Sequence, residues 1–433
     1  MDTDDENSPL IFVLIGATAV LWLFLNSERL EPNLKHIPAF GHATYLLSYI
    51  DALRFAFSAP AVIQSAYDLH RSAIYKLATL NRWLVVVNGT QFMEELRKAP
   101  EDEILFMKPP SKLAVSIHLE SELFQSRDTW DKACDITRHI TQHMSFLIPE
   151  IEEEIRSLTL STSAEGWKEI NIRDLVSQLT TRPNDRVFMG HPLTRNQEYV
   201  QLTASTRREK VSTRSRLMPR LLPSFLWDML LCDNTAQIQQ CRQKLLIKFV
   251  YEQWKKQRSP EGHSEPYSIL FRILSHEMNA PQVEQITRDV LNLSLASYHS
   301  LSSTMEHLLY DLVTHPKYVT PMREEIRIIV KREGWTRHSV DRMHKLDSFI
   351  KESVRLHGTF PLSSVRKTLK EFTFSDGTSI PPNTYLSFSG SPRHHDNSLY
   401  PEANTFDGFA FLHCMKDFMA WTLATAKGVC GSI

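Results

Sequence analysis

A helical pattern of about 34 residues, over 281–314, constrains the fold of this chain more than any other feature. Asn279 is a suitable cap before the pattern, Pro281 suits its first turn, and Pro316 follows its end. At roughly 1.5 Å per residue such a helix extends about 50 Å, which is longer than most helices of globular proteins. We therefore expect one large, mainly helical domain that this helix crosses from side to side.

Strand patterns are few and local by comparison. The segments with β-branched or alternating residues next to turn signals are 82–87, 372–374, 379–380 and 385–388. The first ends at a turn of Asn88 and Gly89, and a short helical stretch over 92–97 follows it. The two middle segments form a predicted hairpin around Gly377. The fold class predicted from these patterns is mostly α with small β-sheets, that is, α+β.

The charge, glycine and cysteine content exclude several classes of function. There are 49 basic against 50 acidic side chains, so the chain has no basic excess for a nucleic-acid partner. None of the 13 glycines forms a G-x-G or G-x-x-x-x-G pair, which excludes a dinucleotide fingerprint and a phosphate-binding loop. The 5 cysteines lack C-x-x-C pairing, which argues against a zinc ribbon or a disulfide framework.

The first part of the chain has the pattern of a single membrane anchor. Residues 9–25 carry no charge and reach the roughly 17–25 apolar residues that a spanning helix needs. The residues before them are acidic, unlike those of a signal peptide, and Arg29 and Lys35 predict that the far side faces the cytosol. The predicted division is a lumenal N-terminus over 1–8, a transmembrane anchor over 9–25, a proline-rich hinge over 26–41 and a body over 42–433.

The middle of the long helix has an unusual composition. Residues 296–304 are mostly small or hydroxylated, where a buried helix would carry leucine. They form either a polar face that packs on a neighbour or a groove whose hydroxyl groups face a bound ligand.

A second amphipathic helix is predicted over 346–357. Glu352 and Arg355 stand three residues apart on it and can form an ion pair. Most such pairs are solvated and contribute little, so this one gains weight only from what surrounds it.

The order of the predicted elements is anchor, hinge, early strands, long helix, E-x-x-R helix and hairpin. This order resembles that of a microsomal cytochrome P450, most of all the fungal enzymes of secondary metabolism. The segments that agree with the family are 82–100, 345–355, 375–378, the Y-P-E element at 400–402 and the F-D-G-F-A-F element at 406–411. The resemblance implies a haem-thiolate monooxygenase that oxidises or hydroxylates a lipophilic secondary metabolite, such as a terpenoid, with dioxygen. It also implies haem b with its iron as cofactor and NADPH–cytochrome P450 reductase as electron donor. The implied location is the endoplasmic reticulum membrane, with one membrane pass and the body in the cytosol.

The resemblance also assigns roles to single residues. Glu352 and Arg355 would lock their helix to the loop beneath the haem. Arg366 would pair with a haem propionate, because a guanidinium matches a carboxylate well, unless it is an exposed basic residue beside Lys367.

Four residues of the long helix match the oxygen-binding part of the family's site. Ala296 and Ser297 correspond to the small pair that lets oxygen and substrate approach the iron. His299 takes the usual acidic position. Ser300 replaces the threonine that helps deliver protons, so a hydroxyl is kept there.

Two departures from the family pattern bear on activity. Ala410 replaces the arginine that is the family's third lock residue, which predicts a looser loop. The iron-ligating cysteine belongs to an F-x-x-G-x-x-x-C-x-G loop, and Cys430 is the candidate, although Ala426 and Ser432 replace two of its glycines. We therefore expect the haem domain to be incomplete after about residue 411. The alternative function is a catalytically inactive, membrane-anchored remnant that lacks a competent haem-ligand loop.

Overall fold

The structure is a computed structural model that describes the chain in several stretches. The described residues are 34–44, 47–79, 82–100, 102–106, 147–160, 169–197, 268–274, 280–358 and 361–412, with a few short groups between 199 and 255. The helices are α1 (Ser48–Leu69), α2 (Thr90–Lys98), α3 (Ile148–Leu160), α4 (Ile172–Phe188), α5 (His191–Thr194), α6 (Ile269–Ile273), α7 (Ala280–Thr314), α8 (Val319–Glu333), α9 (Arg337–Asp341), α10 (His344–Leu356) and α11 (Gly390–His394). The strands are β1 (Ile74–Ala78), β2 (Trp83–Val87), β3 (Ile104–Phe106), β4 (Leu362–Thr368), β5 (Phe372–Thr373), β6 (Ser379–Ile380) and β7 (Tyr385–Ser389). The predicted mostly α fold with small β-sheets is confirmed.

Five of the strands form one mixed sheet. Its order is β1-β2-β7-β4-β3, and β5 pairs with β6 in a separate hairpin. Leu84 of β2 lies opposite Tyr385 of β7 in a parallel pair, while the other neighbours in the sheet are antiparallel. The sheet therefore joins early and late parts of the chain. The structure confirms the predicted strands over 82–87 and 385–388 and the predicted hairpin. Gly377, in the turn of this hairpin, has a φ of +86°, which favours glycine.

Helix α7 confirms the predicted long helix and packs on α4 and α6. The apolar side chains buried at this contact include Met189, Leu193, Ile269, Leu270, Ile273, Val283, Val290 and Leu293. Three polar side chains buried next to them form a chain of hydrogen bonds: the amide of Asn184 donates to Ser294 Oγ at 3.0 Å, and Ser294 Oγ donates to Asp185 Oδ1 at 3.2 Å. Because buried polar groups need such partners, this contact fixes how α4 and α7 face each other. The predicted cap Asn279 lies outside the described residues.

Residues 34–41, the second part of the predicted hinge, pack on the sheet. Leu34 and Ile37 are buried in a core with side chains of β2 and β7. The ammonium of Lys76 in β1 donates to the Leu34 carbonyl at 2.5 Å, and Ala39 forms a parallel bridge with Lys76. This part of the hinge is therefore bound to the body.

The predicted lumenal N-terminus, 1–8, and the predicted anchor, 9–25, lie outside the described residues. Cys430 lies outside them as well, since the last described residue is 412. Across the stretches that are described, no helix has both the length and the apolar character to span a bilayer.

Candidate functional site

Glu352 and Arg355 form a buried, bidentate ion pair on α10. The Nε and Nη2 groups of Arg355 donate to the two carboxylate oxygens of Glu352 at 2.7 and 2.8 Å. The two residues are only 1% and 3% exposed. Removing two charges from water is costly, so such a pair is stable only where further hydrogen bonds satisfy both groups.

Arg355 makes these further bonds to α11 and to the loop 403–411. Its Nη1 group donates to the carbonyl oxygens of His394 at 2.6 Å and Ala403 at 2.7 Å. Its guanidinium carbon lies 5.0 Å from the centroid of the Tyr400 ring, within the range of a cation–π contact. Burial, and then the nearby Arg355 cation, lower the pKa of His394 to about 3, so this ring is neutral near pH 7.

The same loop is held by two backbone hydrogen bonds to α10. The N–H of Asp407 donates to Glu352 Oε1 and the N–H of Phe411 donates to Ser348 Oγ, both at 3.0 Å. Ser348, Glu352 and Arg355 follow one another at helical spacing, so a single face of α10 binds the loop. The sequence analysis did not identify Ser348 as a site residue. Its position four residues before Glu352, on the same face of the helix, is the signal that could have identified it.

An aromatic cluster supports the loop from its other side. Edge-to-face ring pairs with centroids 4.8 to 5.9 Å apart connect Tyr318, Phe349, Phe406 and Phe409. The hydroxyl of Tyr318 also donates to Asp407 Oδ1 at 3.1 Å. A Cβ atom on Gly408 would lie 2.7 Å from the Phe349 ring, so the loop approaches α10 too closely for a larger residue.

Ala410, where the resemblance predicts an arginine, lies on the exposed side of the loop. Its N–H donates to the Asp407 carbonyl at 3.0 Å. The bonds from the loop to α10 are made by the backbone of Asp407 and Phe411, so they do not depend on the side chain at position 410.

The middle of α7 has a face that packs on α4 and an exposed face. Tyr298 is buried, and its hydroxyl donates to Ser177 Oγ of α4 at 2.9 Å. His299 and Ser300 are exposed, and Ser300 Oγ donates back to the Ser297 carbonyl at 3.0 Å. One face thus packs on a neighbour while the next presents an imidazole and a hydroxyl. Ala296 lies in the helix, but its side chain is outside what the structure describes.

Arg366 lies on β4, opposite Phe106 of β3 and Leu386 of β7. Its side chain is buried, with 7% of the residue exposed, and burial lowers the pKa of its guanidinium to about 10. The interpretation as an exposed basic residue is therefore wrong. The propionate role stays a prediction.

The described residues fit a haem group as far as they reach. A buried guanidinium such as that of Arg366 is stabilised by a carboxylate, which is what a propionate offers. The predicted iron ligand, Cys430, lies beyond the described residues. Within those residues, no group of three or more His, Cys, Asp or Glu side chains is placed to hold a metal ion directly.

Comparison with known proteins gives the same family along nearly the whole chain. Residues 59–419 match the cytochrome P450 family. Cytochrome P450 monooxygenase 151 of Postia placenta is 30% identical over 93% of this chain and 81% of its own length. Ent-kaurene oxidase P450-4 of Gibberella fujikuroi is 26% identical over 94% of this chain and 81% of its own length.

A solved structure supports the fold independently. The cytochrome P450 CYP102L1 superposes with a TM-score of 0.64 at 14% identity, covering 90% of this chain and 92% of that one. The superposition shows that the chain has the cytochrome P450 fold. The chain belongs to the cytochrome P450 family of monooxygenases, oxidoreductases that use haem iron as their cofactor.

Proposed function

We propose that this protein oxidises or hydroxylates a lipophilic secondary metabolite with dioxygen and NADPH-derived electrons. The observation that carries the proposal is the buried Glu352–Arg355 pair, because its remaining bonds hold the loop 403–411 in a defined position. A terpenoid is the substrate class to test first, since a relative at 26% identity is an ent-kaurene oxidase.

Haem, when bound, supplies the chemistry that activates dioxygen, while the protein provides binding, orientation and protons. Arg366 would hold a propionate by charge-assisted hydrogen bonds. Ser300 would hold and move a proton at its Oγ, which donates to the Ser297 carbonyl at 3.0 Å. His299 would add a second group that accepts and donates protons, and Ala296 with Ser297 would leave room for the substrate.

Cys430 would supply the thiolate that ligates the iron. Ala426 and Ser432 stand where the family loop has glycine, and Ala410 stands where it has arginine. The departures at Ala426 and Ser432 favour the second candidate function, a catalytically inactive, membrane-anchored remnant without a competent haem-ligand loop, whereas the loop 403–411 is held without the side chain at position 410.

The proposal extends to the location and partners of the protein. Residues 9–25 would anchor it in the endoplasmic reticulum membrane, with 1–8 in the lumen and the body over 42–433 in the cytosol. There it would receive electrons from NADPH–cytochrome P450 reductase.

The first experiment is a carbon-monoxide difference spectrum of the reduced 433-residue chain, expressed with haem supplied. We expect the Soret band of a thiolate-ligated haem, lost in Cys430→Ser and kept in the matched control Cys414→Ser. Haem uptake without that band, or no uptake, would overturn the monooxygenase proposal in favour of the inactive remnant.

A second experiment tests the substrate class. The haem-loaded chain is titrated with ent-kaurene and, as control, with a saturated fatty acid, and the displacement of water from the haem is followed by the shift of the Soret band. We expect a saturable shift with the diterpene. A shift with the fatty acid alone would contradict the terpenoid class and leave the monooxygenase function in place.

A further inference from the structure

A pair of histidines joins α7 to the end of α10, away from the Glu352–Arg355 network. The rings of His307 and His357 stack with centroids 4.6 Å apart and planes inclined by 8°. The Nε2 atom of His357 lies 3.2 Å from Asp311 Oδ1, one turn further along α7 than His307. Two imidazoles and one carboxylate thus form the contact between the helices at this point.

Two carboxylates, those of Asp311 and Glu306, lie near the rings and act to raise the pKa of His307, and Asp311 is the one hydrogen-bonded to His357. Asp311 is 6% exposed, and within the described residues its Oδ2 atom has no hydrogen-bond partner. The neighbouring carboxylate, that of Glu306, is engaged by Arg173 of α4 and by the hydroxyl of Tyr310, both at 3.3 Å. His315 turns its Nδ1 atom to the Asp311 carbonyl oxygen at 3.1 Å, so its ring does not bind the carboxylate.

We propose that His307, His357 and Asp311 form a pH-sensitive latch, which holds α7 and α10 together while the two rings share at most one proton and opens when both are protonated. One imidazolium is balanced by Asp311. A second would place two like charges face to face at 4.6 Å in a partly buried contact, where screening by water is reduced. Burial, and next the presence of His357, lower the pKa of His307, which agrees with a ring that is neutral in the closed state.

The latch lies on α7 and at the end of α10, the two helices that carry most of the candidate site residues. His357 follows α10 directly, two residues after Arg355, and His307 lies two turns beyond Ser300 on α7. Opening would therefore loosen the end of α10 and the start of the segment that leads to β4. This inference goes beyond the proposed function, because the latch needs neither haem nor substrate.

Hydrogen exchange of the full 433-residue chain at pH 7.5 and pH 5.5 tests the latch, with rates corrected for the intrinsic effect of pH. The decisive peptides cover residues 303–312 and 353–358. We expect acid to cause a loss of protection there in the wild type and in His338→Phe, which changes an exposed histidine of α9, but not in His307→Phe. An equal acid response in His307→Phe, or none in the wild type, would overturn the proposal.

Asp311→Asn provides a test that does not rely on the stability of His307→Phe. Removing this carboxylate takes away the counter-charge that is hydrogen-bonded to His357, so the loss of protection on acidification should become larger than in the wild type. An unchanged or smaller loss would contradict the latch.

Discussion

Helix α10 contacts its surroundings through a charged pair in its last turn and through a histidine directly after its end, and the two contacts differ in burial and in the groups that carry charge. The donors of the buried Arg355 guanidinium are bound by Glu352 and by two carbonyl oxygens. The rings of His307 and His357 stack on each other, Asp311 is hydrogen-bonded to His357, and 36% of the His357 side chain is exposed. A buried network in which the charged groups are hydrogen-bonded makes a permanent contact. A partly exposed pair of histidines makes a contact that depends on pH.

The largest expected effect comes from breaking the permanent contact. Glu352→Ala leaves the guanidinium of Arg355 buried without its carboxylate, which costs about 3–5 kcal/mol of the free energy of unfolding in comparable cases. The matched control is Lys351→Ala on the same helix, whose partner Asp347 has a side chain that is 48% exposed. The Lys351 side chain is 14% exposed, and a pair at this i, i+4 spacing on a helix is worth about 0.3–0.5 kcal/mol. Urea unfolding of the three proteins measures the difference, and equal losses would show that burial does not set the strength of this contact.

A smaller effect is expected where the loop 403–411 approaches α10 most closely. A methyl group on Gly408 would lie 2.7 Å from Phe349 and 3.2 Å from Tyr318, so Gly408→Ala must displace buried rings. Overpacking of this kind costs about 1–3 kcal/mol. Gly358→Ala is the control, because its new methyl group would meet only a carbonyl oxygen at 3.4 Å. A thermal melt that gives both variants the same midpoint would contradict the close approach.

Ser348 offers a finer change to the same contact. Ser348→Ala removes the hydroxyl that accepts the hydrogen bond of the buried Phe411 N–H at 3.0 Å, at a cost of about 1 kcal/mol. Ser353→Ala is a matched control, since Ser353 is also buried on α10 and its hydroxyl has no hydrogen-bond partner among the described residues. We expect Ser353→Ala to be neutral or stabilising. Faster hydrogen exchange at Phe411 should appear in Ser348→Ala alone.

The parts of the fold that were predictable are those with a local signal. The long helix has a proline at each end and helical periodicity between them, and the E-x-x-R spacing places Glu352 and Arg355 on one face. Strand β4 was missed because its sequence, L-S-S-V-R-K-T, shows no clear alternation. It is a strand because β3 and β7 pair with it on both sides. The burial of Arg366 follows from the same pairing, so no pattern around that residue predicts it.

The contact between His307 and His357 could not be predicted from the sequence. His307 and His357 belong to different helices and meet only because α7 and α10 cross. Neither histidine stands in a motif, and a lone histidine on a helix is most often a solvated residue. Tertiary contacts of this kind depend on how two helices dock, which local propensity does not determine.

The smallest expected effect is the contribution of His307 to the pH dependence of stability. Burial and the neighbouring His357 lower the pKa of His307 in the folded state, so its neutral form is favoured there. The stability that this gives is fully present above about pH 6.5, the value of an unperturbed histidine, and is lost as the pH falls through the lower folded-state pKa. The wild type should therefore lose more stability than His307→Phe between pH 7.5 and pH 5.5 in urea unfolding.

His394 provides the internal reference for that comparison. Burial lowers the pKa of His394 to about 3, so it also reduces stability below about pH 6.5, but it does so equally in the wild type and in His307→Phe. The difference between the two pH profiles therefore isolates His307, while their common slope includes the contribution of His394. Parallel profiles would mean that the histidine pair carries no charge-dependent energy, and its contact would then differ from that of the Glu352–Arg355 pair in burial alone.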